Sequence, residues 1–397
     1  MLRPGVLSTD KTTRATIVVP IGKLDHAAGL RRWSEEQVMM RMARLLVRRS
    51  ELYVRWASIL GMLAALILNG TGASQTPATL SSFHVVDVKS RSDVRPPVIT
   101  AVLYDITRDI LITAGDDHLI RVFKQPGDQQ LVTLKGSGWI YGLAIDPTGK
   151  YLAAVDDRGS LTIWEWEKAR RLYERSLSSA AIRTVAFHPT GQWLAAAGFE
   201  PRVFVVETLT GRSLAELIAE RDTRQVVFSA DGSLLAAAGG TGKVLLWDGR
   251  KLQKLAEIPA SLRRLHAVAF SPDMSLLATG GEDSTVNLWR LDSQPIGLAG
   301  QFKLTQGSVT SLVFCENGQL IAAGTTRNTI HLWDLVTTRE LAQLQGHTGT
   351  ISCLAWTPER SLLSSGSFDT TVRFWRLPPG TTVSERLPAA QADILRQ

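Results

Sequence analysis

The sequence predicts an all-β fold of seven repeated units, because two landmarks recur along the chain in one register. The first is a bulky residue that closes a short apolar run: Tyr104, Ile145, Phe187, Phe228, Phe270, Phe314 and Trp356. The second lies nineteen residues further on: Phe123, Trp164, Val206, Trp247, Trp289, Trp333 and Trp375. Both advance in steps of 41 to 44 residues. A period of about 40 to 45 residues is typical of the blades of a β-propeller.

Each copy contains four runs with the patterns of β-strands. In the fifth copy, the apolar runs HAVAF and SLLATGG flank the turn SPDM, and TVNLWRL then alternates apolar with polar residues. A weaker fourth run follows the second landmark, for example RELAQLQG in the sixth copy. Such short runs separated by turn residues indicate antiparallel strands. We therefore expect a seven-bladed β-propeller of four-stranded antiparallel blades, preceded by a helical and hydrophobic N-terminal segment.

Charge and hydropathy divide the chain into five parts. We expect a basic N-terminal region, a hydrophobic signal or anchor segment, a linker, the propeller and a C-terminal tail at residues 1–56, 57–69, 70–81, 82–380 and 381–397. Residues 1–55 hold eleven Lys and Arg against five Asp and Glu, which accounts for +6 of the net charge of +7. The propeller therefore lacks the positive field on which non-specific nucleic-acid binding depends, and we expect no nucleic acid among its partners.

The hydrophobic segment predicts export or membrane attachment. The run ASILGMLAALIL, residues 57–68, is shorter than the roughly 20 residues of a full membrane span and has the length of a signal-peptide core. One hypothesis is a cleaved signal, with translation starting at Met40 or Met42 and residues 1–39 not made. Another is a short anchor, preceded by a helix that Ser34 and Gln37 would cap, with the propeller extracytoplasmic. A third is a helix packed on the propeller, which leaves a cytoplasmic protein open.

The repeats resemble the WD-repeat (G-beta) family over roughly residues 82–379. The dipeptide that gives the family its name occurs as Trp247-Asp248 and Trp333-Asp334, and Trp164, Trp289 and Trp375 stand at the same position in variant copies. In this family a strand from the other end of the domain completes the last blade. The resemblance therefore implies that FHVVDV, residues 83–88, closes the seventh blade, with TTVSERL after Pro379 as the alternative.

The resemblance also implies a hydrogen-bond network within blades. The family joins an Asp six residues before the Trp to a His, a Ser or Thr and the indole. That position holds Asp117, Arg158, Glu200, Thr241, Asp283, Arg327 and Asp369, so Asp117, Asp283 and Asp369 are the expected structural carboxylates. Only the seventh copy has the full set, with His347, Ser365, Asp369 and Trp375. The third copy, with Val206 for Trp, is expected to form an irregular blade.

Alignment of the seven copies with one another predicts a candidate binding site. Four residues before the first landmark stand Thr100, Tyr141, Arg183, Arg224, His266, Thr310 and Ser352, and equivalent positions of a propeller form a ring. Tyr and Arg are enriched among interface hot spots, so the aromatic and basic residues Tyr141, Arg183, Arg224 and His266 would bind an acidic or extended protein segment. Glu282, which has no structural duty beside Asp283, is a further candidate. The competing interpretation is an ordinary polar position on an inner strand.

The sequence contains no motif for catalysis. The seven His have no paired metal-ligand spacing, and Cys315 and Cys353 lie in separate segments, which predicts two buried thiols rather than a zinc site or a disulfide. We therefore expect no enzyme activity, no cofactor and no metal, and a scaffold for protein partners of unspecified identity. One alternative is an extracytoplasmic lactonase or hydrolase with a metal in the axial channel. The other is a regulatory or sensor module of a membrane complex.

Overall fold

A computed structural model describes residues 77–82, 84–87, 97–105, 108–125, 129–293 and 295–377. The predicted basic region, the hydrophobic segment with its N-terminal helix, and the C-terminal tail lie outside these residues. Within the described ranges, no helix has the length and apolar character needed to span a bilayer. The described chain begins with two short strands, β1 (Ala78–Leu80) and β2 (His84–Asp87).

Seven sheets follow. Within each, consecutive strands pair antiparallel in chain order, four of them in blades one to six and three in blade seven. Blade one comprises β3 to β6: Ile99–Asp105, Ile110–Gly115, Leu119–Lys124 and Gln129–Lys135. Blade two comprises β7 to β10: Ile140–Ile145, Tyr151–Asp156, Ser160–Glu165 and Arg170–Ser176. Blade three comprises β11 to β14: Ile182–Phe187, Trp193–Gly198, Arg202–Glu207 and Ser213–Ile218. Blade four comprises β15 to β18: Thr223–Phe228, Leu234–Gly239, Lys243–Asp248 and Lys254–Pro259.

The remaining three blades have the same order. Blade five comprises β19 to β22: Leu265–Phe270, Leu276–Gly281, Thr285–Arg290 and Gly297–Lys303. Blade six comprises β23 to β26: Val309–Cys315, Leu320–Thr325, Ile330–Asp334 and Glu340–Leu344. Blade seven has β27 to β29: Ile351–Thr357, Leu362–Ser367 and Thr371–Arg376. Short 3-10 turns occur at Trp166–Lys168, Glu316–Gly318 and Pro358–Arg360. The predicted seven-bladed architecture is confirmed.

The fourth strand of blade seven comes from the N-terminal side of the domain. β2 pairs antiparallel with β29, and Val86 lies opposite Val372. The predicted closure by FHVVDV is therefore confirmed for residues 84–87, whereas TTVSERL lies outside the described residues. β1 adds an unpredicted fifth strand to blade six, parallel to β26, at the end of the segment that the sequence assigned to a linker.

The core lies between neighbouring blades. The second strands are almost wholly buried, and those of blades three and four carry runs of three alanines, because small side chains let the adjacent sheets approach closely. Each apolar cluster joins two blades; one combines Leu246 of blade four with Leu277 and Trp289 of blade five. The fourth strands are mostly exposed. The first strands of neighbouring blades contact one another and surround the axis.

The prediction of an irregular third blade was wrong. Its four strands pair in the common order, and Val206, which replaces Trp, is fully buried opposite Leu194. A hydrogen bond from a serine also fixes the turn that follows its second strand, as in blade five. Ser178 Oγ donates to Glu200 Oε1 at 2.6 Å, as Ser261 Oγ donates to Asp283 Oδ2 at 2.7 Å in blade five. A longer acidic side chain therefore performs the same role.

Candidate functional site

The seven ring residues share a feature of backbone geometry. Each is the second residue of a first strand, and in all seven blades the pairing with the second strand shifts register at that residue. A β-bulge leaves its extra residue outside the hydrogen-bond ladder and re-aims the side chain. All seven side chains accordingly line one axial cavity of about 250 Å³. We call the end of the propeller that holds this cavity, with the connections between blades, the ring face.

Two of the three small ring residues, Thr100 and Thr310, tie neighbouring blades together. Thr100 Oγ1 donates to Ile140 O at 2.5 Å, and Thr310 Oγ1 donates to Ile351 O at 2.6 Å. In both cases the acceptor is the first residue of the next blade's first strand, so the hydroxyl ties two blades together. Ser352 Oγ lies 3.5 Å from Cys353 Sγ. These small hydroxyl residues occupy blades one, six and seven.

The other four ring residues form a basic and aromatic arc over blades two to five. The Arg183 guanidinium lies over the ring of Tyr141, 4.9 Å from its centroid, and over that of Phe199 at 4.4 Å. Such cation–π contacts hold a guanidinium in place without neutralising its charge. Phe199 is 41% exposed on the ring face. The arc therefore presents a fixed charge between two aromatic rings.

Two carboxylates lie at the edge of this arc. Asp222 Oδ2 is 2.9 Å from Arg224 Nη2 and 3.4 Å from Arg264 Nε, and its Oδ1 is 3.7 Å from Arg183 Nε. Glu282, a predicted binding residue, lies 3.8 Å from both Arg264 and His266. Three guanidinium groups thus face two carboxylates. The structure brings all five predicted partner-binding residues to one face.

Burial lowers the pKa of two residues of the arc, His266 and Arg183. It lowers the pKa of His266, and the positive charge of Arg224 lowers that pKa further. Because an ordinary His has a pKa of about 6.5, His266 is neutral at pH 7. Burial, followed by the charge of Arg224, also lowers the pKa of Arg183, but an arginine keeps its charge in proteins.

The arc contains polar atoms whose hydrogen-bonding capacity is unused. Arg183 Nε, Arg224 Nε and Asp222 Oδ1 are buried and have no hydrogen-bond partner within the described part of the chain. A buried polar group without a partner costs about 1 to 3 kcal/mol. A ligand that supplied these partners would recover part of that cost.

The predicted structural residues lie away from the cavity, inside the blades. Trp375 Nε1 donates to Ser365 Oγ, Ser365 Oγ contacts His347 Nε2, and His347 Nδ1 contacts Asp369 Oδ2, each at 2.8 Å. Burial raises the pKa of Asp369, but hydrogen bonds from His347, Thr371 and the Thr348 backbone outweigh burial and hold the pKa below its ordinary range. Blade seven thus contains the complete network.

In the other blades the network is partial. Trp289 Nε1 donates to Thr279 Oγ1 at 3.0 Å, while Asp283 binds Ser261 separately. Asp117 forms an ion pair with the buried Arg121 of its own blade. The remaining expected structural residues, Trp164, Trp247 and Trp333, are buried.

The cavity offers little for metal chemistry. None of the described residues that line it is Asp or Glu, and nowhere in the described ranges do three His, Cys, Asp or Glu side chains come together as metal ligands would. Both cysteines are free. Cys315 is buried as predicted, whereas Cys353 is only half-buried because it lies in the cavity wall.

The sequence did not reveal Phe199, Asp222, Arg264 or the 45% exposed Trp139. Three of them directly precede a first strand, and Phe199 directly follows a second strand. When the seven copies are aligned at these connection positions, aromatic and charged side chains are concentrated in blades two to five. That signal depends on knowing that the connections lie beside the ring.

Comparisons with known proteins agree with the fold. The family model "WD domain, G-beta repeat" matches residues 128–165, 171–205 and 211–248, and the model "Anaphase-promoting complex subunit 4 WD40 domain" matches residues 268–359. Together these two WD-repeat models cover about half of the chain. The β-propeller domain of Myceliophteria thermophila Cps50 (Swd1) superposes with a TM-score of 0.66 over 75% of this chain and 99% of that chain, at 18% identity, a likeness of fold alone.

Curated relatives are also repeat proteins, and they are longer. Actin-interacting protein 1 of Drosophila melanogaster is 24% identical over 69% of this chain and 53% of its own length. Periodic tryptophan protein 2 of Saccharomyces cerevisiae is 29% identical over 58% of this chain and 25% of its own length. The chain therefore spans about half or less of these relatives. Its seven phased copies, its blade-seven network and the two matching models agree, and the chain belongs to the WD-repeat family.

Proposed function

We propose that the protein is a non-catalytic scaffold that binds a protein segment on the ring face of blades two to five. One observation carries the proposal: at the same bulged position, three blades use small hydroxyl residues, whereas four neighbouring blades place Tyr141, Arg183, Arg224 and His266. A purely structural position would not require two buried arginines, Arg183 and Arg224, with unsatisfied donors. Propellers of this family typically serve as platforms for protein partners, and this likeness supports the proposal by analogy.

The composition of the surface favours a protein segment over other ligands. Tyr, Trp and Arg dominate interface hot spots, and the ring face of blades two to five exposes Trp139 at 45% and Phe199 at 41%. The excess of guanidinium over carboxylate groups favours an acidic segment. A metal-dependent hydrolase would need several carboxylates at the cavity, and its described lining has none.

The proposal is tested by removing the two arginines of the arc. We expect Arg183→Ala with Arg224→Ala to abolish the capture of proteins that co-purify with the tagged chain from native membranes. A matched control replaces Arg212 and Arg250, exposed arginines of the same two blades on the opposite face, with alanine and should leave capture unchanged. Equal capture by both double variants would contradict the proposal.

We also propose that residues 57–69 export the protein or hold it at a membrane, with the propeller extracytoplasmic. The apolar run preceded by Arg48, Arg49 and Arg55 supports this proposal. Mass spectrometry of the native protein tests it together with membrane fractionation. An N-terminus at Ser74 would indicate cleavage, and an uncleaved chain in the membrane fraction would indicate an anchor. A chain that begins at Met1 and stays in the soluble cytoplasmic fraction would contradict both.

A further inference from the structure

Asp222 has a backbone conformation that its counterparts in the other blades do not share. It is the last residue before the first strand of blade four and has a φ of +59°. The residues at the same place in the other blades are Val98, Trp139, Ala181, Arg264, Ser308 and Thr350, all of them described, and none has a positive φ. A non-glycine residue rarely adopts this left-handed conformation, although Asp tolerates it better than most. The backbone of this connection therefore differs from that of the other six at the residue that carries the carboxylate.

Backbone contacts fix the position of Asp222 between blades three and four. The amide of Asp222 donates to Phe199 O at 3.4 Å, and the amide of Gly240 donates to Asp222 O at 3.0 Å. A Cβ at Gly239 would lie 2.3 Å from the same carbonyl oxygen, so only glycine allows this close approach. The contact with Phe199 of blade three has no equivalent among the described residues of the other blades, whereas a bond like that from Gly240 recurs in all seven. The first contact therefore fixes the backbone that carries the Asp222 carboxylate at the edge of the arc.

The fit of the carboxylate to the arginines is incomplete. Of its contacts with three guanidinium groups, only the one from Arg224 Nη2 to Oδ2, at 2.9 Å, is a hydrogen bond. Its Oδ1 and the Nε atoms of Arg183 and Arg224 are buried without hydrogen-bond partners. A guanidinium binds a carboxylate best through two parallel hydrogen bonds. An incoming carboxylate, free of the constraint of this backbone, could align with Arg183 and Arg224 better than Asp222 does.

We infer that the arc contains a subsite for a partner's carboxylate, and that Asp222 occupies this subsite in the free protein. An Asp or Glu side chain of an acidic protein segment takes its place between Arg183 and Arg224. This inference rests on the proposed function and adds a competitor built into the chain. Neutralising Asp222 then removes the competitor and one of the two negative charges that face the three arginines, so affinity for acidic segments rises. If Asp222 instead positions the arginines for binding, neutralising it lowers affinity.

The test measures binding of a fluorescein-labelled hexaglutamate peptide to the full chain by fluorescence anisotropy at low salt. We expect Asp222→Asn to bind the peptide about fivefold more tightly than the wild type does. The substitution removes a negative charge that lies within 4 Å of the three arginines and repels the peptide. The matched control is Glu220→Gln, a carboxylate of the same connection that pairs with Lys243 instead, and it should bind as the wild type does. A labelled hexaglutamine peptide should bind to none of the proteins.

A second variant controls for an effect of misfolding on the measured affinity. Asp222→Gly also removes the charge, and glycine adopts a positive φ without strain, so it should bind as tightly as Asp222→Asn while melting at the wild-type temperature or above. Affinity in both variants equal to or below that of the wild type would overturn the inference. So would the absence of hexaglutamate binding to every variant. In either case the proposed function would still be judged by the capture experiment with Arg183 and Arg224.

Discussion

Six residues before the Trp position, several blades place a carboxylate that accepts a hydrogen bond from the preceding connection. Different pairs of side chains form this bond. Blade seven uses the His347–Asp369 pair, blade five uses Ser261 with Asp283, and blade three uses Ser178 with Glu200. The sequence predicted the first of these because all four members of the network are present. It missed the serines because a Ser–Glu pair matches no family pattern. Such a pair becomes recognisable only when the connection and the turn are seen to meet.

These pairs should differ in their contribution to stability. The side chains of His347 and Asp369 are 0% and 6% exposed, so Asp369→Ala leaves a buried imidazole and two backbone donors without their acceptor. We expect it to lower the free energy of unfolding by about 3 kcal/mol. The control Asp283→Ala removes the corresponding half-buried carboxylate of blade five and should cost about 1 kcal/mol. Guanidinium denaturation at pH 7 measures both, and equal losses would contradict the expectation.

The effect of Asp369 should also depend on pH. Its pKa in the folded protein is held below the ordinary value, so its contribution is complete above the pKa of the unfolded chain, which is about 3.9. Below that pH the unfolded chain takes up a proton that the folded chain does not, and stability falls. The difference between wild type and Asp369→Ala should therefore shrink as the pH is lowered below about 4.

At the scale of the strand, the bulge explains the equivalence of the ring positions. The sequence predicted that they form a ring because their spacing from the first landmark is constant. It did not predict the bulge, which is a property of the register between two strands and leaves no mark on the apolar pattern. In blade five, Leu265 and Ala267 are fully buried on either side of His266, so the run reads as an ordinary strand.

The bulged position also allows function and stability to be separated. Thr310 ties blades six and seven through its hydroxyl, whereas Arg183 and Arg224 have buried Nε atoms without partners. We expect Arg183→Thr with Arg224→Thr, made together with Asp222→Asn so that no carboxylate loses its arginine partners, to keep or raise the melting temperature, because threonine can donate to the next blade, and to abolish hexaglutamate binding. As a control, Thr310→Ala should cost about 1 kcal/mol. A loss of stability in the arginine variant as large as in Thr310→Ala would show that the arginines hold the blades together.

At the scale of the whole molecule, closure of the ring depends on a strand that is distant in sequence from the blade it completes. The sequence predicted this strand because FHVVDV alternates as an outer strand should and the WD-repeat resemblance required one. It did not predict β1, because three residues in parallel pairing with β26 carry no periodicity from which a strand can be inferred.

The closing strand should act locally at the junction of blades seven and one. Val86 is 2% exposed and packs in a cluster with Phe374 of blade seven and Ile99 and Leu111 of blade one, whereas Val85 is 37% exposed. We expect Val86→Ala to lower the free energy of unfolding by about 2 kcal/mol and Val85→Ala to change it by less than about 0.5 kcal/mol.

Hydrogen exchange distinguishes a local role from a global one. In Val86→Ala, the amides of β29 and β3 should exchange faster than in the wild type, while those of β16 in blade four should keep most of their protection, because each blade packs only on its neighbours. Faster exchange of equal size in β16 would show that the ring opens as a single cooperative unit. The closing strand would then stabilise all seven blades equally, rather than the junction where it pairs.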